Sequence, residues 1–281
     1  MNKPRDEAGL SGPVIGCETA AALMEPLTDL VIRAGAAILA VNRDAMTVEG
    51  KPDGSPVTEA DLAADRIIGE GLARLVPAIP AVSEERAHLA TSPTRGSFFL
   101  IDPLDGTKEY VAGRDEFTVN LALVSHGTPL LGIIGVPALG LIWRGLVGQG
   151  AQRLTTSGSA AEVAKAIHTR RMPPDDSRWI AAVSRSHGDA RTEAFIDSRP
   201  GATRLELGSA VKFGRVAEGA ADIYPRLAPT CEWDVAAGHA IVTAAGGKVT
   251  DMQGGELRFG GGGDFIVPGF IAWGDPAAAA R

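Results

Sequence analysis

Residues 98–120 read FFLIDPLDGTKEYVAGRDEFTVN, and the segment DPLDGT inside them is the most informative part of the chain. The apolar run from Phe98 to Ile101 is short and soon followed by a proline, which predicts a buried strand rather than a helix. Asp102 and Asp105 then leave this strand three positions apart, and Gly106 permits a tight turn after them. Two carboxylates and an intervening carbonyl would converge there, an oxygen-rich arrangement that hard divalent cations such as Mg²⁺ favour. The alternative is an ordinary solvated turn, because Asp-Pro and Asp-Gly pairs are common in turns.

Two further acidic segments would complete such a site. The first, AVSEE at residues 81–85, follows a brief apolar run with Glu84 and Glu85, of which at most one can face a pocket because side chains alternate along extended chain. The second, CEWDVAAGHAIV at residues 231–242, carries Asp234 where an alanine-rich helix begins. Each also has a plainer interpretation, as a solvated Glu-Glu pair and as an aspartate that stabilises a helix N-terminus through the dipole.

The chain before these motifs is predicted to form two helices. Apolar residues at helical spacing indicate one helix from Met24 to Val41 and another from Thr58 to about Leu75. Thr58 and Asp61 stand in the S/T-x-x-D order of a capping box, so one interpretation of Asp61 is a helix cap.

The rest of the chain alternates strands and helices without internal repeats, which indicates an α/β or α+β protein. A boundary between two halves is expected within residues 145–178, where Gly, Gln, Ser and Thr are frequent. The patterns predict strands at 117–124, 132–136, 179–183 and 223–224 and helices at 160–168, 209–218 and 233–245.

Together, the Glu-Glu pair, DPLDGT and WDVAAG resemble the motifs of the inositol monophosphatase superfamily, whose members are magnesium-dependent, lithium-sensitive phosphatases. The resemblance extends from about Leu27 to Phe270. Within the superfamily the chain most resembles the CysQ-type 3'(2'),5'-bisphosphate nucleotidases, through Lys108-Glu109, SRSH at 184–187 and GSAVKF at 208–213. Inositol monophosphatases typically carry Thr-Asn instead of Lys108-Glu109, and Tyr110 replaces the phenylalanine usual in the CysQ type.

The resemblance implies an αβαβα sandwich of the inositol monophosphatase and fructose-1,6-bisphosphatase type. Residues 22–145 would form an N-terminal α+β half that carries most metal ligands. Residues 146–281 would form a C-terminal α/β half that carries substrate contacts and the last metal ligand. Residues 1–21 contain several charges and no apolar block like that of a signal peptide, and are expected to be a disordered extension.

The resemblance also implies ligands for two or three magnesium ions. Glu84, Asp102 and the main-chain carbonyl of Leu104 would hold one ion. Asp102, Asp105 and Asp234 would hold a second, so that Asp102 bridges the two.

Catalysis would depend on Thr107, which a hydrogen bond to Asp61 would orient to help deprotonate the attacking water. The amides of Gly106 and Thr107 would bind phosphate oxygens as a small anion nest. The implied substrate contacts are Glu84, Leu104, Asp105, Gly106, Thr107, Ser184, His187, Gly208, Lys212 and Asp234.

The basic residues among these candidates have alternative interpretations. Lys212 would meet a 5'-phosphate as a point charge, or else lie solvated on its helix. His187 would contact the nucleotide, or else be an ordinary loop histidine. Arg185 and Arg226 are further candidates that are also compatible with structural or exposed roles, and Lys108 would adjust the local field.

Bulk properties restrict the partners. The net charge of −7 and the pI near 5.3 of the 281 residues argue against nucleic-acid polymers, which need a basic surface. The only cysteines, Cys17 and Cys231, imply no disulfide framework and fit a reducing compartment. No stretch approaches the ~20 apolar residues of a membrane-spanning helix. We expect a cytoplasmic protein, monomeric or homodimeric, with peripheral association with the inner membrane left open.

The expected reaction is hydrolysis of the 3'-phosphate of 3'-phosphoadenosine 5'-phosphate to AMP and phosphate, by water that magnesium activates. This would remove a by-product of sulfate assimilation. The alternative enzymes are an inositol monophosphatase and a fructose-1,6-bisphosphatase. The alternative from another class is a catalytically inactive nucleotide-binding protein, which would be expected to lack a metal ligand or Thr107, and the sequence lacks neither.

Overall fold

A computed structural model of the protein describes residues 12–43, 45–50, 56–89, 96–157, 160–174, 177–186, 188–261 and 264–280. The α-helices are α1 (Cys17–Ala40), α2 (Glu59–Leu75), α3 (Thr107–Val111), α4 (Ala190–Asp197), α5 (Val211–Ala217) and α6 (Glu232–Ala244). The strands up to the middle of the chain are β1 (Val48–Gly50), β2 (Pro56–Thr58), β3 (Ala81–Ser83), β4 (Ser97–Asp105), β5 (Thr118–Ser125), β6 (Thr128–Val136), β7 (Leu141–Leu146), β8 (Gly150–Ser157) and β9 (Ala160–Ile167). The later strands are β10 (Trp179–Ser184), β11 (Ala202–Leu207), β12 (Ile223–Arg226), β13 (Thr230–Cys231), β14 (Lys248–Thr250), β15 (Ile266–Val267) and β16 (Phe270–Trp273). Short 3-10 helices cover Glu84–Leu89, Pro137–Leu139 and Pro276–Ala280.

Two large sheets organise the molecule. The first has seven strands in the order β3-β4-β5-β6-β7-β8-β9, antiparallel throughout except for the β3–β4 pair. The second has five strands in the order β11-β10-β12-β16-β14 and mixes parallel with antiparallel pairs. Two-stranded pairs β1–β2 and β13–β15 lie outside them.

Strand β4 shows how the layers are built, because its side chains alternate between two cores. Phe99 and Ile101 pack with α1 and α2 on one face of the seven-stranded sheet. Phe98 and Leu100 belong to the core formed with α5, α6 and the five-stranded sheet on the other face. A near-continuous apolar run is what a strand buried on both faces requires.

The five-stranded sheet is also covered on both faces. A third core joins Ile223 and Trp273 of this sheet to Ile196 of α4. The layers therefore follow the order helices, sheet, helices, sheet, helix, which is the expected αβαβα sandwich. Along the described residues, no helix has the length and apolar composition that a bilayer crossing needs.

The end of β4 differs from the prediction. The strand does not end with the apolar run at Ile101 but continues through Pro103 to Asp105. The pairing with β5 instead shifts register between Asp102, opposite Asn120, and Asp105, opposite Thr118. The strand tolerates a proline here because the irregularity removes it from the ladder. The same irregularity brings both aspartates to one end of the strand.

The N-terminal boundary is earlier than predicted. Helix α1 begins at Cys17, so the expected extension over residues 1–21 is wrong for its last part, while residues 1–11 lie outside the described residues. The segment before the helix is tied to the sheet, because Ile15 N donates to Ser97 Oγ at 2.8 Å. The helix starts before the predicted Met24 because its inner face already begins at Ala20, which is buried.

The middle of the chain also differs. The alanine-rich segment predicted as a helix near 160–168 is strand β9, which pairs antiparallel with β8. Tertiary pairing here overrides the helix propensity of alanine. The seven-stranded sheet consequently continues past the expected boundary at 145/146, which falls inside β7.

Candidate active site

A pocket of about 210 Å³ lies where β4, α5, β12 and the N-terminus of α6 meet. Of the residues proposed from the sequence, it is lined by Glu84, Asp102, Leu104, Asp105, Gly106, Thr107, Lys108, Ser184, Lys212, Arg226 and Asp234. It is also lined by Pro56, Glu109, Ser209, Ala210 and Tyr224, which sequence reasoning had not assigned. Candidate metal ligands and candidate phosphate-binding cations therefore share one cavity.

The register shift in β4 positions the carboxylates of Asp102 and Asp105. Asp102 is 1% exposed, and its Oδ1 accepts a hydrogen bond from Leu104 N at 3.1 Å. Asp105 Oδ2 accepts from Thr118 Oγ1 at 3.2 Å and from Asn120 Nδ2 at 3.5 Å, both on β5. The strand partner thus holds Asp105 while the local turn holds Asp102.

Asp234 lies at the start of α6 and closes a capping box there. Its Oδ2 accepts from Cys231 N at 3.3 Å and from Thr230 Oγ1. The side chain also lines the pocket. The role at the helix start is therefore confirmed, and the metal-ligand role stays a prediction that is compatible with it, because capping needs one carboxylate oxygen.

Asp61 plays the corresponding part at the start of α2. Its Oδ2 accepts from Thr58 N at 2.8 Å and from Thr58 Oγ1 at 2.6 Å, which completes the predicted capping box. Its Oδ1 accepts from Thr107 Oγ1 at 3.1 Å, the hydrogen bond that the resemblance implied. Thr107 Oγ1 also lies 3.3 Å from the carbonyl oxygen of Leu104, which keeps it at the turn after β4.

A carboxylate that sequence reasoning missed supports Glu84. Asp65, on α2, accepts from Ser83 Oγ at 2.6 Å and from an Arg86 guanidinium nitrogen at 3.0 Å. Ser83 and Arg86 flank Glu84, at the junction of β3 with the 3-10 helix. The spacing of Asp65 from Asp61 is one helical turn, and this shared face was the available sequence signal.

The carboxylates destabilise one another's charge. Burial, followed by repulsion from Glu84, Asp105 and Asp234, raises the pKa of Asp102 well above its ordinary value. Burial and the charge of Asp234 raise the pKa of Asp105 to about 6. Burial likewise raises the pKa of Asp234. A cluster of acids with raised pKa values is the environment that a bound cation would relieve.

The donor set fits magnesium. Carboxylate oxygens with a main-chain carbonyl are the hard ligands that Mg²⁺ prefers, and no sulfur or imidazole is needed. Among the described residues, no group of three His, Cys, Asp or Glu side chains is close enough to hold an ion by itself. The fit therefore depends on the chemistry and mutual repulsion of the donors around the pocket, not on preformed coordination geometry.

Lys212 is buried rather than solvated. It is 2% exposed, its Nζ donates to the Ser209 carbonyl at 2.5 Å, and burial lowers its pKa to about 8. Arg226, at the end of β12, lines the same pocket. Two cationic side chains thus lie in the cavity that the acids line.

Two other predicted substrate contacts form interactions with another side chain of the protein. Arg185 forms an ion pair with Glu116, and Gly208 N donates to the same carboxylate at 2.7 Å. Gly208 is not among the residues that line the cavity, whereas Ser184 is. His187 lies outside the described residues.

A family model described as the inositol monophosphatase family matches residues 21–280. The chain belongs to this family. Phosphatases of the inositol monophosphatase family are generally metal-dependent, and the chain is accordingly a phosphatase with a small phosphorylated substrate.

Individual relatives refine the comparison. The chain is 38% identical over 257 residues to the 3'(2'),5'-bisphosphate nucleotidase CysQ of Escherichia coli O157:H7, covering 88% of this chain and 98% of the relative. It is 35% identical to the nucleotidase of the same name from Buchnera aphidicola, covering 89% and 93%. The crystal structure of CysQ from Bacteroides thetaiotaomicron superimposes with a TM-score of 0.74 at 32% identity, covering 89% of this chain and 96% of that one. An inositol monophosphatase from Zymomonas mobilis gives a TM-score of 0.71 at 26% identity, covering 94% and 97%.

Proposed function

We propose that this protein hydrolyses the 3'-phosphate of 3'-phosphoadenosine 5'-phosphate to AMP and phosphate, with two or three magnesium ions as cofactors. The observation that carries the proposal is one cavity that holds both an acidic cluster and buried cations. The curated relatives named 3'(2'),5'-bisphosphate nucleotidase support the choice of substrate. Cytoplasmic location, oligomeric state and inhibition by lithium stay predictions.

The two kinds of charge suit a substrate with two phosphates. The acids need cations before a phosphate can approach them, so the reacting phosphate would lie against the metal ions that the acids hold. Lys212 and Arg226 carry positive charge within the cavity, which suits a second phosphate that is not cleaved. A substrate with one phosphate would present no second anion to Lys212 and Arg226.

The candidate ligands are those of the resemblance: Glu84, Asp102 and the Leu104 carbonyl for one ion, and Asp102, Asp105 and Asp234 for a second. When bound, the divalent cations neutralise phosphate charge and make water a better nucleophile. Asp102, the most buried of the acids, would be shared.

Thr107 and Asp61 are proposed to move the proton. Thr107 Oγ1 donates to Asp61 Oδ1, so the lone pairs of this hydroxyl are left to accept a proton from water. Burial raises the pKa of Asp61, which makes its carboxylate a stronger proton acceptor than an exposed aspartate. The amides of Gly106 and Thr107 would meanwhile bind phosphate oxygens.

A phosphate-release assay tests the proposal. The protein with magnesium would be given 3'-phosphoadenosine 5'-phosphate, inositol 1-phosphate and fructose 1,6-bisphosphate in parallel. We expect the highest kcat/KM with 3'-phosphoadenosine 5'-phosphate and background rates for Asp102→Asn. A preference for either sugar phosphate would overturn the substrate assignment. Absence of release from all three would favour the inactive nucleotide-binding alternative.

A further inference from the structure

Glu109 and Glu116 follow the candidate metal ligands of β4 in the chain. Their side chains accept hydrogen bonds from the two segments that carry the candidate substrate contacts Ser184 and Gly208. Glu116 Oε2 accepts from Gly208 N at 2.7 Å and forms an ion pair with Arg185. Glu109, which is 3% exposed, accepts from Ser186 Oγ. We call Glu109 and Glu116 the acidic clamp.

The backbone at the clamp is packed closely. A Cβ added to Gly208 would lie 2.5 Å from the Glu116 carbonyl oxygen, so only glycine fits there. Ser209 has a φ of 47°, in the left-handed region that non-glycine residues seldom adopt. Its Oγ lies 2.8 Å from the carbonyl oxygen of Asp105 and 2.9 Å from that of Glu116, and its single proton is donated to this pair of acceptors. The turn at 208–209 is therefore held against the segment that carries the metal ligand Asp105.

The turn at 208–209 also contacts the buried ammonium group of Lys212. Lys212 Nζ donates to the Ser209 carbonyl at 2.5 Å, so the position of the ammonium depends on the turn that the clamp holds. Ser186 and Arg185 directly follow Ser184, which lines the cavity. The clamp thus contacts both segments that would meet the phosphate that is not cleaved.

The charge state of Glu116 suits this task. Burial acts to raise the pKa of Glu116, but hydrogen bonds from Arg185 and Gly208 prevail and lower it. Glu116 is accordingly ionised at neutral pH, and charge-assisted hydrogen bonds are the stronger kind.

We propose that Glu109 and Glu116 are positioning residues that fix the binding site of the second phosphate relative to the metal ligands, and thereby determine preference for a bisphosphate over a monophosphate. This inference rests on the proposed function. A fixed separation selects a substrate whose two phosphates match it, because small displacements of binding groups carry large rate penalties.

The test compares 3'-phosphoadenosine 5'-phosphate with adenosine 3'-monophosphate, which lacks only the 5'-phosphate. Glu116→Ala removes the acceptor for Gly208 N and the partner of Arg185. We expect the kcat/KM preference for the bisphosphate to fall by about 10-fold or more, mainly through KM. Direct Mn²⁺ binding, measured by electron paramagnetic resonance, should be unchanged, because the clamp supplies no metal ligand.

Further variants separate the contacts. Glu116→Gln keeps an acceptor oxygen for Gly208 N and should fall between wild type and Glu116→Ala. Glu109→Ala removes the acceptor for Ser186 Oγ and should shift the preference in the same direction. Should Glu116→Ala fail to fold, Arg185→Ala breaks the same ion pair from its exposed side. The matched control is Glu256→Gln, which removes an exposed ion pair with Arg258 and should leave the preference unchanged.

Three outcomes would overturn the inference. An equal loss on both adenosine substrates would show that the clamp is only structural, and a weaker Mn²⁺ affinity would show that it acts on the metal side. A wild-type protein that hydrolyses 3'-phosphoadenosine 5'-phosphate but shows no preference over adenosine 3'-monophosphate would overturn the inference alone. A wild type that does not hydrolyse 3'-phosphoadenosine 5'-phosphate at all would instead overturn the proposed function on which the inference rests.

Discussion

Helices α2 and α6 both begin with a capping box, but the capping aspartates of the two helices lie in different environments. In each, an aspartate at the third helical position completes a capping box, and both capping contacts fall on its Oδ2. Asp61 uses Oδ1 to accept from Thr107, whereas Asp234 lies in the carboxylate cluster of the pocket. A cap therefore does not exclude a chemical role, because it fixes one oxygen and leaves the other.

One turn after the aspartate, the two helices carry residues with different roles. Four positions after Asp61, α2 carries Asp65, which holds Ser83 and Arg86 on either side of Glu84. Four positions after Asp234, α6 carries Gly238, where an added Cβ would lie 2.1 Å from the ring of Phe213. Helix α2 uses this face to support a candidate ligand, and α6 uses it for close packing on α5.

The largest effect should follow from Asp234→Asn. An asparagine keeps an oxygen that can cap α6, so the protein should fold normally. It loses the charge proposed to hold a cation, so turnover should fall by about 10³-fold, measured as phosphate release at saturating magnesium. Retention of more than a tenth of wild-type turnover would show that Asp234 is only a cap.

The matched variant is Thr230→Ala. It removes a capping partner and keeps the charge of Asp234, so stability should fall by about 1 kcal/mol with a much smaller effect on turnover. Comparable losses of turnover in both variants would mean that orientation, not charge, is what Asp234 needs.

Stability without metal should depend on pH through the acids of the pocket. The folded protein raises the pKa of Asp105 from 3.8 to about 6, so it binds a proton that the unfolded chain releases. The contribution of Asp105 to the free energy of unfolding is therefore fully present below pH ~4 and is lost as the pH rises through ~6. The complete shift of its pKa corresponds to about 3 kcal/mol of that free energy. Magnesium, which requires deprotonated acids, should stabilise the protein increasingly as pH rises from ~4 through ~6.

The measurement is the difference in unfolding free energy with and without magnesium across this range. The difference is needed because His239, whose burial lowers its pKa to about 4, makes stability rise with pH over part of the same range. That histidine contributes equally with and without metal and cancels. A difference that does not vary with pH would contradict the role of the acids.

A smaller effect is expected for Asp61→Asn. The variant keeps a capping oxygen but loses the charge that would accept a proton from Thr107, so turnover should fall by about 10²-fold with little change in KM. Thr58→Ala is the control, since it weakens the cap by about 1 kcal/mol and leaves the carboxylate. Turnover near wild type for Asp61→Asn, with a lower melting temperature, would favour the cap alone.

These helix starts also show what sequence could predict. The capping box of Asp61, the position of Asp234 at a helix start and the carboxylates of DPLDGT were visible because they depend on residues within one turn of each other. The layered fold followed from the resemblance, and the apolar run of β4 predicted only a buried strand, which the structure shows to face two cores. The identities of the predicted ligands therefore required no knowledge of tertiary contacts.

What sequence could not predict depends on distant partners. Strand β9 is alanine-rich and becomes a strand only because β8 pairs with it. Lys212 is buried because the 208–209 turn packs against Glu116, which is 92 residues from Gly208 in the chain. The local residue pattern does not distinguish Lys212 from a solvated lysine, and only the resemblance of GSAVKF at 208–213 singled it out.

The smallest effect is expected for Asp65→Asn. This variant tests whether the carboxylate one turn after Asp61 supports metal binding through Glu84. Asparagine can still accept from Ser83 but loses the ion pair with Arg86, which lies within 3.0 Å. Because Ser83 and Arg86 flank Glu84, we expect about 10-fold weaker metal affinity, as for other residues that orient ligands. Turnover should recover at saturating magnesium, and direct Mn²⁺ binding should show the same weakening. Glu70→Gln is the control on the same helix, since it removes an exposed ion pair with Arg74 and should leave metal affinity unchanged. Reduced turnover at saturating magnesium with normal Mn²⁺ affinity would place Asp65 with Asp61 on the catalytic side instead.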